Sequence, residues 1–259
     1  NSSNFSRISK PSPQHLAMLG SMTAANRVSG QVNNAITFDG VNDGFMTPAT
    51  PTMTLGPNFT ISVWINVDTA KIGFDAILTD FSPYSRWFGV TGDAPEDRIQ
   101  FYISGTQKYY FGSPLARETT WHYVTLAYDG TTLRQYLNGA EAAGTVIPSP
   151  VISALTERFS IGGYTSGVTI DGDAFQGEVD ELRVSSSALP ANWLTTEYNN
   201  QRLINQECRP GQGCTISSAT AFLSLVGAET QQNPPPTIPA LDAMPAFGNF
   251  YSDSATPVL

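Results

Sequence analysis

The 259-residue chain is short of charge, of histidine and of cysteine, and each shortage removes a class of function. Only 14% of its residues are charged, and 13 Lys and Arg stand against 22 Asp and Glu, for a net charge of −9. Phosphate binding needs clustered cations, and no basic stripe occurs anywhere, so nucleic acid is excluded as a partner. No run of about 18 apolar residues occurs either, which excludes insertion into a membrane as a spanning helix. The two histidines, His15 and His122, lie far apart in sequence. His122 stands beside Trp121 in an apolar run, where it reads as a structural residue. No Ser-His-Asp or Cys-His arrangement follows from these two, and no histidine-based zinc site.

The two cysteines, Cys208 and Cys214, flank Arg-Pro-Gly-Gln-Gly with no other metal ligand nearby. They read as a small disulfide-closed loop, which fits an oxidising compartment, against the alternative of two free thiols. The chain opens at Asn1 inside a polar stretch without an initiator Met or a signal peptide, as a processed product or excised fragment would. A secreted, extracellular or cell-surface location is the expectation.

What the chain does have is turn formers and alternation. It contains 22 Gly and 18 Pro, and 41% of it is hydrophobic, enough to bury a core. Residues 1–34 are polar and weakly patterned, an N-terminal arm with at most a short strand. From Ala35 the pattern becomes strands and turns. In Phe59-Thr-Ile-Ser-Val-Trp-Ile-Asn-Val67, the residues Phe59, Ile61, Val63, Ile65 and Val67 fall on one face and Thr60, Ser62, Trp64 and Asn66 on the other. That period of two is a strand. Arg98–Ser104, Trp121–Tyr128, Leu133–Leu137, Phe159–Gly163 and Gly177–Ser185 follow suit. Asp129-Gly130 and Asn138-Gly139 are strong hairpin turns, because both pairs tolerate positive φ. Pro190 followed by Trp193, Leu194, Glu197 and Tyr198 predicts one helix over Ala191–Asn200. Ala221–Val226 reads as a last strand, and the Pro-rich stretch 229–259 as an extended tail. Many short strands and one late helix give an all-β fold, a jelly-roll β-sandwich of two antiparallel sheets over about 35–228.

Ala35-Ile-Thr-Phe-Asp-Gly-Val-Asn-Asp-Gly-Phe45 resembles the entry motif of laminin G-like domains, jelly rolls of the concanavalin A-like lectin/glucanase superfamily. Phe59–Val67 with Trp64 resembles the tryptophan-bearing strand of that family. Trp121-His-Tyr-Val124 with Asp129-Gly130, then Tyr136-Leu-Asn-Gly139, resemble its paired central strands. Gly177-Glu-Val-Asp-Glu-Leu-Arg-Val184 resembles its closing strand, and Trp193–Gln201 the helix of a bacterial surface-protein subgroup. The resemblance spans roughly residues 20–228. Two departures stand out: the subgroup's leading strand is absent ahead of Asn1, and Arg202–Thr220, with both cysteines, looks like an insertion.

The tempting catalytic string is Glu178-Val-Asp180-Glu-Leu-Arg183. Related β-glucanases carry Glu-x-Asp-x-x-Glu there, and retaining hydrolysis needs two carboxyls about 5–5.5 Å apart. Arg183 stands where the acid/base partner would be, so the chain is expected not to be an enzyme. Calcium, which takes about six to eight oxygens, is the better metal. The resemblance implies a structural Ca2+ joining the entry motif to the closing strand, through Asp39, a carbonyl near Gly40, Asp43 and Asp180. Asn42 and Asp43 serve equally as turn formers, and Asp171-Gly-Asp173 reads as a turn.

Aromatic faces hold sugars by stacking, and Tyr84, Trp87, Tyr102, Tyr109, Tyr110 and Tyr164 are the candidate ligand residues, with Trp64 and Trp121 assigned to the core. The expected function is a non-catalytic extracellular module, adhesive or lectin-like, for a glycan or a surface protein. The alternative is a filament or surface-layer subunit binding copies of itself by strand or tail exchange, since a sandwich missing a strand exposes an unpaired edge.

Overall fold

The computed structural model describes residues 16–48, 57–68, 73–80, 86–91, 98–103, 107–111, 120–142, 147–148, 158–165 and 169–207. Cys208, Cys214, the expected last strand at 221–226 and the 229–259 tail lie outside the described residues, as do Tyr84 and His15.

The chain runs through β1 (Ala17–Leu19), a 3-10 turn (Ala24–Asn26), β2 (Arg27–Ser29), β3 (Asn34–Asp39), β4 (Gly44–Met46), β5 (Phe59–Val67) and β6 (Phe74–Asp80). It continues through β7 (Arg86–Thr91), β8 (Arg98–Ile103), β9 (Gln107–Phe111), β10 (His122–Tyr128) and β11 (Thr132–Leu137). The two-residue strands β12 (Ala140–Glu141) and β13 (Ile147–Pro148) follow, then β14 (Phe159–Ile161), β15 (Gln176–Ser185) and α1 (Ala191–Glu207). These strands form two sheets, ordered β1-β4-β14-β6-β7-β8-β9 and β12-β11-β10-β5-β15-β3-β2, with β13 also paired to β11. Every strand pairing is antiparallel. The two sheets stack as the jelly-roll sandwich that the alternation implied.

The alternation also builds the core. Phe59, Ile61, Val63, Ile65 and Val67 of β5, with Val124, Leu126 and Tyr128 of β10, face the interior from the second sheet. Ile77, Leu78, Phe88, Val90, Ile99, Phe101 and Phe159 face it from the first. Burying each large side chain removes about 1.5–3 kcal/mol of apolar surface energy from water. The complementary residues of β5 turn the other way, yet Thr60, Ser62 and Trp64 are also buried, because α1 covers that outer face.

The helix presents Leu194, Tyr198 and Gln201 to the sheet at the spacing of a single helical stripe. Leu194 packs with Ala127 and Tyr136. The Tyr198 ring stacks on Trp64 at 5.6 Å between centroids and lies 6.2 Å from Tyr123, and the Trp64 indole N–H donates to Gln201 Oε1. Arg183 of β15 forms ion pairs with Glu197 of the helix and with Glu181. The helix is longer than the ten residues expected and ends at Glu207. Tertiary contact at Gln201 carries it past Asn199-Asn200, two weak helix formers.

Residues 17–29, where at most a short strand was expected, contain two strands and a capped turn. Thr23 accepts from the Ala25 N–H and Asn26 Oδ1 accepts from the Thr23 N–H, so side chains close the turn with no hydrophobic alternation to announce it. β1 and β2 become edges, one in each sheet.

Candidate functional site

The two expected sites, a calcium cage and an aromatic face, fare differently. The β3–β4 turn holds the first. Asp39 Oδ1 accepts the N–H groups of Val41 (2.8 Å), Asn42 (3.1 Å) and Asp43 (3.2 Å). Burial by itself would raise the Asp39 carboxyl, but these backbone donors outweigh it and hold the group below its ordinary value. Asp43 is buried and takes the Ser21 hydroxyl on Oδ1 at 3.0 Å and the Asn26 amide on Oδ2 at 2.7 Å. Asn42 Oδ1 accepts from the backbone and side chain of Ser21. Asp39 and Asp43 are thus turn formers, accepting protein donors through Oδ1 of Asp39 and through both carboxylate oxygens of Asp43.

Asp180 does not join them. Register places Asp39 opposite Gln176, and Asp180 lies four residues farther along β15, roughly 13 Å away at strand rise. The set Asp39, Gly40, Asp43 and Asp180 therefore does not converge into the calcium cage that the resemblance implies. Among the described residues no three His, Cys, Asp or Glu side chains come together as metal ligands. Gly40, with a φ of +73°, packs against Gln176.

Asp180 instead reaches into the loop between β2 and β3. It is 5% exposed, and its Oδ2 accepts the Val32 N–H at 2.7 Å. A methyl at Gly30 would lie 2.6 Å from that oxygen, so glycine is needed for the approach. Burial pushes the carboxyl up to about 7, Glu181 adds to the rise, and the N–H groups of Val32, Glu181 and Gln31 oppose it. Glu178 accepts from the Asn66 amide at 3.0 Å. Asp180 and Glu178 share the outer face of the helix-bearing sheet, opposite Trp64 and Asn66. A β-bulge follows, in which Glu181 takes a φ of +50° and Arg183 is brought opposite Ser62. The string Glu178 to Arg183 thus supplies packing, hydrogen bonds and ion pairs beneath and beside α1. His122 is buried in β10, opposite Ile65.

The aromatic candidates sort by register. Phe88, Val90, Ile99 and Phe101 face the interior, so the alternate positions of β7 and β8 share the outer face of the first sheet. Trp87 pairs with Tyr102, and Tyr102 with Lys108. Gly89 pairs with Gln100, and Gln100 with Tyr110. Trp87, Tyr102 and Tyr110 therefore occupy one face of three adjacent strands. Tyr109 is paired with Phe101, a register position of opposite parity to that of Tyr110. Its neighbour in sequence, Tyr110, takes the outer position because the period is two.

The rest of that outer face is partly covered. Residues 169–174 fold over its β1–β4–β14 end, where Ile170 and Ala174 pack with Leu19 and Met46. Beneath lie the buried hydroxyls of Thr79 and Ser160, bonded to each other and to the Gly163 carbonyl. Tyr164 stands at the base of this hairpin, its N–H donating to the Gly172 carbonyl and its carbonyl accepting from Asp171. Asp171 and Asp173 are turn residues here, Asp173 with a φ of +48°. Gln100 of β8, on this same outer face, is buried. The outer face of the second sheet belongs to α1, whereas the first sheet presents an aromatic stretch flanked by a hairpin.

The fold has known counterparts. Domain 4 of the GH43 extracellular arabinanase AbnA from Geobacillus stearothermophilus, solved with arabinotriose, superposes with a TM-score of 0.54 at 17% identity, over 71% of this chain and 86% of that one. The heptameric SAP-like pentraxin of Limulus polyphemus gives 0.50 at 14% identity, over 62% and 80%. The binding domain of botulinum neurotoxin serotype G gives 0.52 at 12% identity, over 72% and 47%. At these identities the likeness is one of fold. No curated protein matches the chain. A laminin G-like family model does match, over residues 39–195, from the β3–β4 turn through the first turn of α1. By that match and by its two stacked sheets, the chain belongs to the laminin G-like family of the concanavalin A-like lectin/glucanases superfamily.

Proposed function

We propose that this chain is a non-catalytic carbohydrate-binding module of the extracellular space or cell surface, and that it binds through the outer face of β7–β9. The observation that carries the reading is the register that puts Trp87, Tyr102 and Tyr110 on one face of three neighbouring strands. Aromatic positions on adjacent strands of one pleated face are suited to sugar rings, which stack through their apolar faces. The arabinanase domain solved with arabinotriose has the same fold and lends support. The carboxylates of the glucanase-like string support a role without turnover. Glu178 is engaged by Asn66 and Asp180 is bonded inside the β2–β3 loop, and both belong to the face that α1 occupies.

Glycan-array screening of the full chain, followed by calorimetry on the best ligand, tests this. Trp87→Ala with Tyr102→Ala is expected to weaken binding by about tenfold or more, and Trp193→Ala, on the exposed side of α1, to leave it unchanged. The opposite pattern would move the site to the helix. Release of reducing ends that is abolished by Glu178→Gln would replace the module with a hydrolase.

A further inference from the structure

The seat of α1 gathers polar atoms that the aromatic stack and the ion pairs do not use. Thr125 of β10 pairs with Tyr136 of β11 on one side and with Ser62 of β5 on the other, and Ser62 pairs with Arg183 of β15. These four residues form one row across the outer face of the second sheet, and α1 lies over it through Leu194 and Tyr198. Ser62, Tyr123 and Thr125 are all buried. Glu197 of the helix reaches the row, its Oε1 paired with Arg183 and its side chain 11% exposed. Among the described residues, three atoms gathered here are buried with no hydrogen-bond partner: the Tyr123 hydroxyl, Thr125 Oγ1 and Glu197 Oε2. Ser62 and Glu197 both stand beside the Tyr123 phenol, which burial and then the Glu197 charge push well above its ordinary value. Neither meets it in hydrogen-bonding geometry. The phenol is therefore protonated, a donor without an acceptor.

Buried polar atoms in native proteins find partners, so three orphans under one helix call for a common one. The inventory of donors and acceptors identifies it. Tyr123 and Thr125 each bring an O–H to donate, and Glu197 Oε2 brings lone pairs only. A water molecule accepts two hydrogen bonds and donates two. It takes both hydroxyl protons and gives one of its own to the carboxylate, with the other directed to the Ser62 hydroxyl oxygen. A bare cation fits worse. It would bind lone pairs of all three atoms and leave both hydroxyl protons with no acceptor, beside a guanidinium that is already positive.

We infer that one ordered water is built into the seat of α1, bridging Tyr123 and Thr125 of β10 to Glu197 of the helix. Stacked rings tolerate a range of offsets, so Tyr198 on Trp64 does not by itself fix the helix along its axis. Hydrogen bonds are directional, and those routed through the water, with the Arg183–Glu197 pair, set where the helix comes to rest.

Crystals of the full chain diffracting to about 1.5 Å should show one solvent peak at about 2.5–3.2 Å from all three atoms. A direct Tyr123–Glu197 hydrogen bond with no peak between them overturns the inference. So does a peak with five or more oxygens at about 2.4 Å, which is a metal ion. The solution test is urea unfolding of Thr125→Val and Tyr123→Phe, each of which removes a hydroxyl and keeps the shape. With the water in place, each variant is expected to raise the unfolding equilibrium constant about fivefold or more. The two together should do little more than the larger single effect, because both hydroxyls hold the same water. Without the water both hydroxyls are orphans and their removal is neutral or stabilising, so an unchanged or lowered constant overturns the inference.

Discussion

Asp180→Asn isolates the cost of keeping one carboxyl under the β2–β3 loop. An aspartate in the unfolded chain titrates near 3.8, and burial raises the folded one to about 7. Between those two pH values the folded chain holds one proton that the unfolded chain has lost, so stability falls as pH rises across that window. At about 1.4 kcal/mol per pH unit the loss reaches roughly 4 kcal/mol by pH 7 and then levels off. It is absent only well below the unfolded value of 3.8, where both states are protonated. Asparagine keeps an acceptor for the Val32 N–H, at 2.7 Å from Oδ2 in the parent, and it does not titrate.

The assay is urea unfolding followed by tryptophan fluorescence at unit steps from pH 4 to 8, on parent and variant. Titrations not coupled to Asp180 cancel in the difference. Asp180→Asn minus parent should rise by about 4 kcal/mol toward stabilisation over that range. A difference that is flat, or that falls with pH, would refute the reasoning. It would mean that the three backbone donors from Val32, Gln31 and Glu181 favour the anion more than burial disfavours it.

Two further outcomes follow from the helix contacts. Gln201→Ala strands the buried Trp64 indole N–H, whose acceptor is Gln201 Oε1, and should cost about 1–3 kcal/mol in thermal or chemical unfolding. Gly139→Ala combines a φ of +77° with a methyl 2.8 Å from Tyr198 Cδ1. The left-handed backbone alone costs about 1–2 kcal/mol, and displacement of Tyr198 from Trp64 adds to it, which near-ultraviolet circular dichroism would register as a changed aromatic signal.

The strands with strict alternation were legible in sequence: β5, β8, β10, β11 and the body of β15, together with the Asn138-Gly139 turn, where Asn138 has a φ of +51°. β6, β7 and β9 were not read. In β6 the bulge between Ala76 and Leu78 turns both Ile77 and Leu78 inward, which breaks the period of two that marks a strand. β7 carries Gly89 at its centre, and β9 is a five-residue stretch with two tyrosines side by side. Glycine weakens a strand signal, and adjacent tyrosines conceal which face is apolar. The aromatic candidates were therefore visible as composition, and only the register separated Tyr110 from Tyr109. The spacing of Asp39 from Asp180 was not legible for a related reason: both residues belong to paired strands, but a pairing says nothing of where along the ladder each one falls. The cover over Trp64 was half legible, since the helix was expected and its seat on the sheet was not.

That seat has a bearing on how the protein behaves when stressed. Trp64, Tyr123 and Tyr136 lie on the outside of their sheet and count as interior only while α1 rests on them. Lifting the helix would leave the sandwich itself standing, yet uncover a broad aromatic plane of the kind that draws two molecules together. The onset of self-association on warming should then track release of the helix rather than melting of the strands. A single helix would so decide whether the sheet behind it is a foundation or an adhesive.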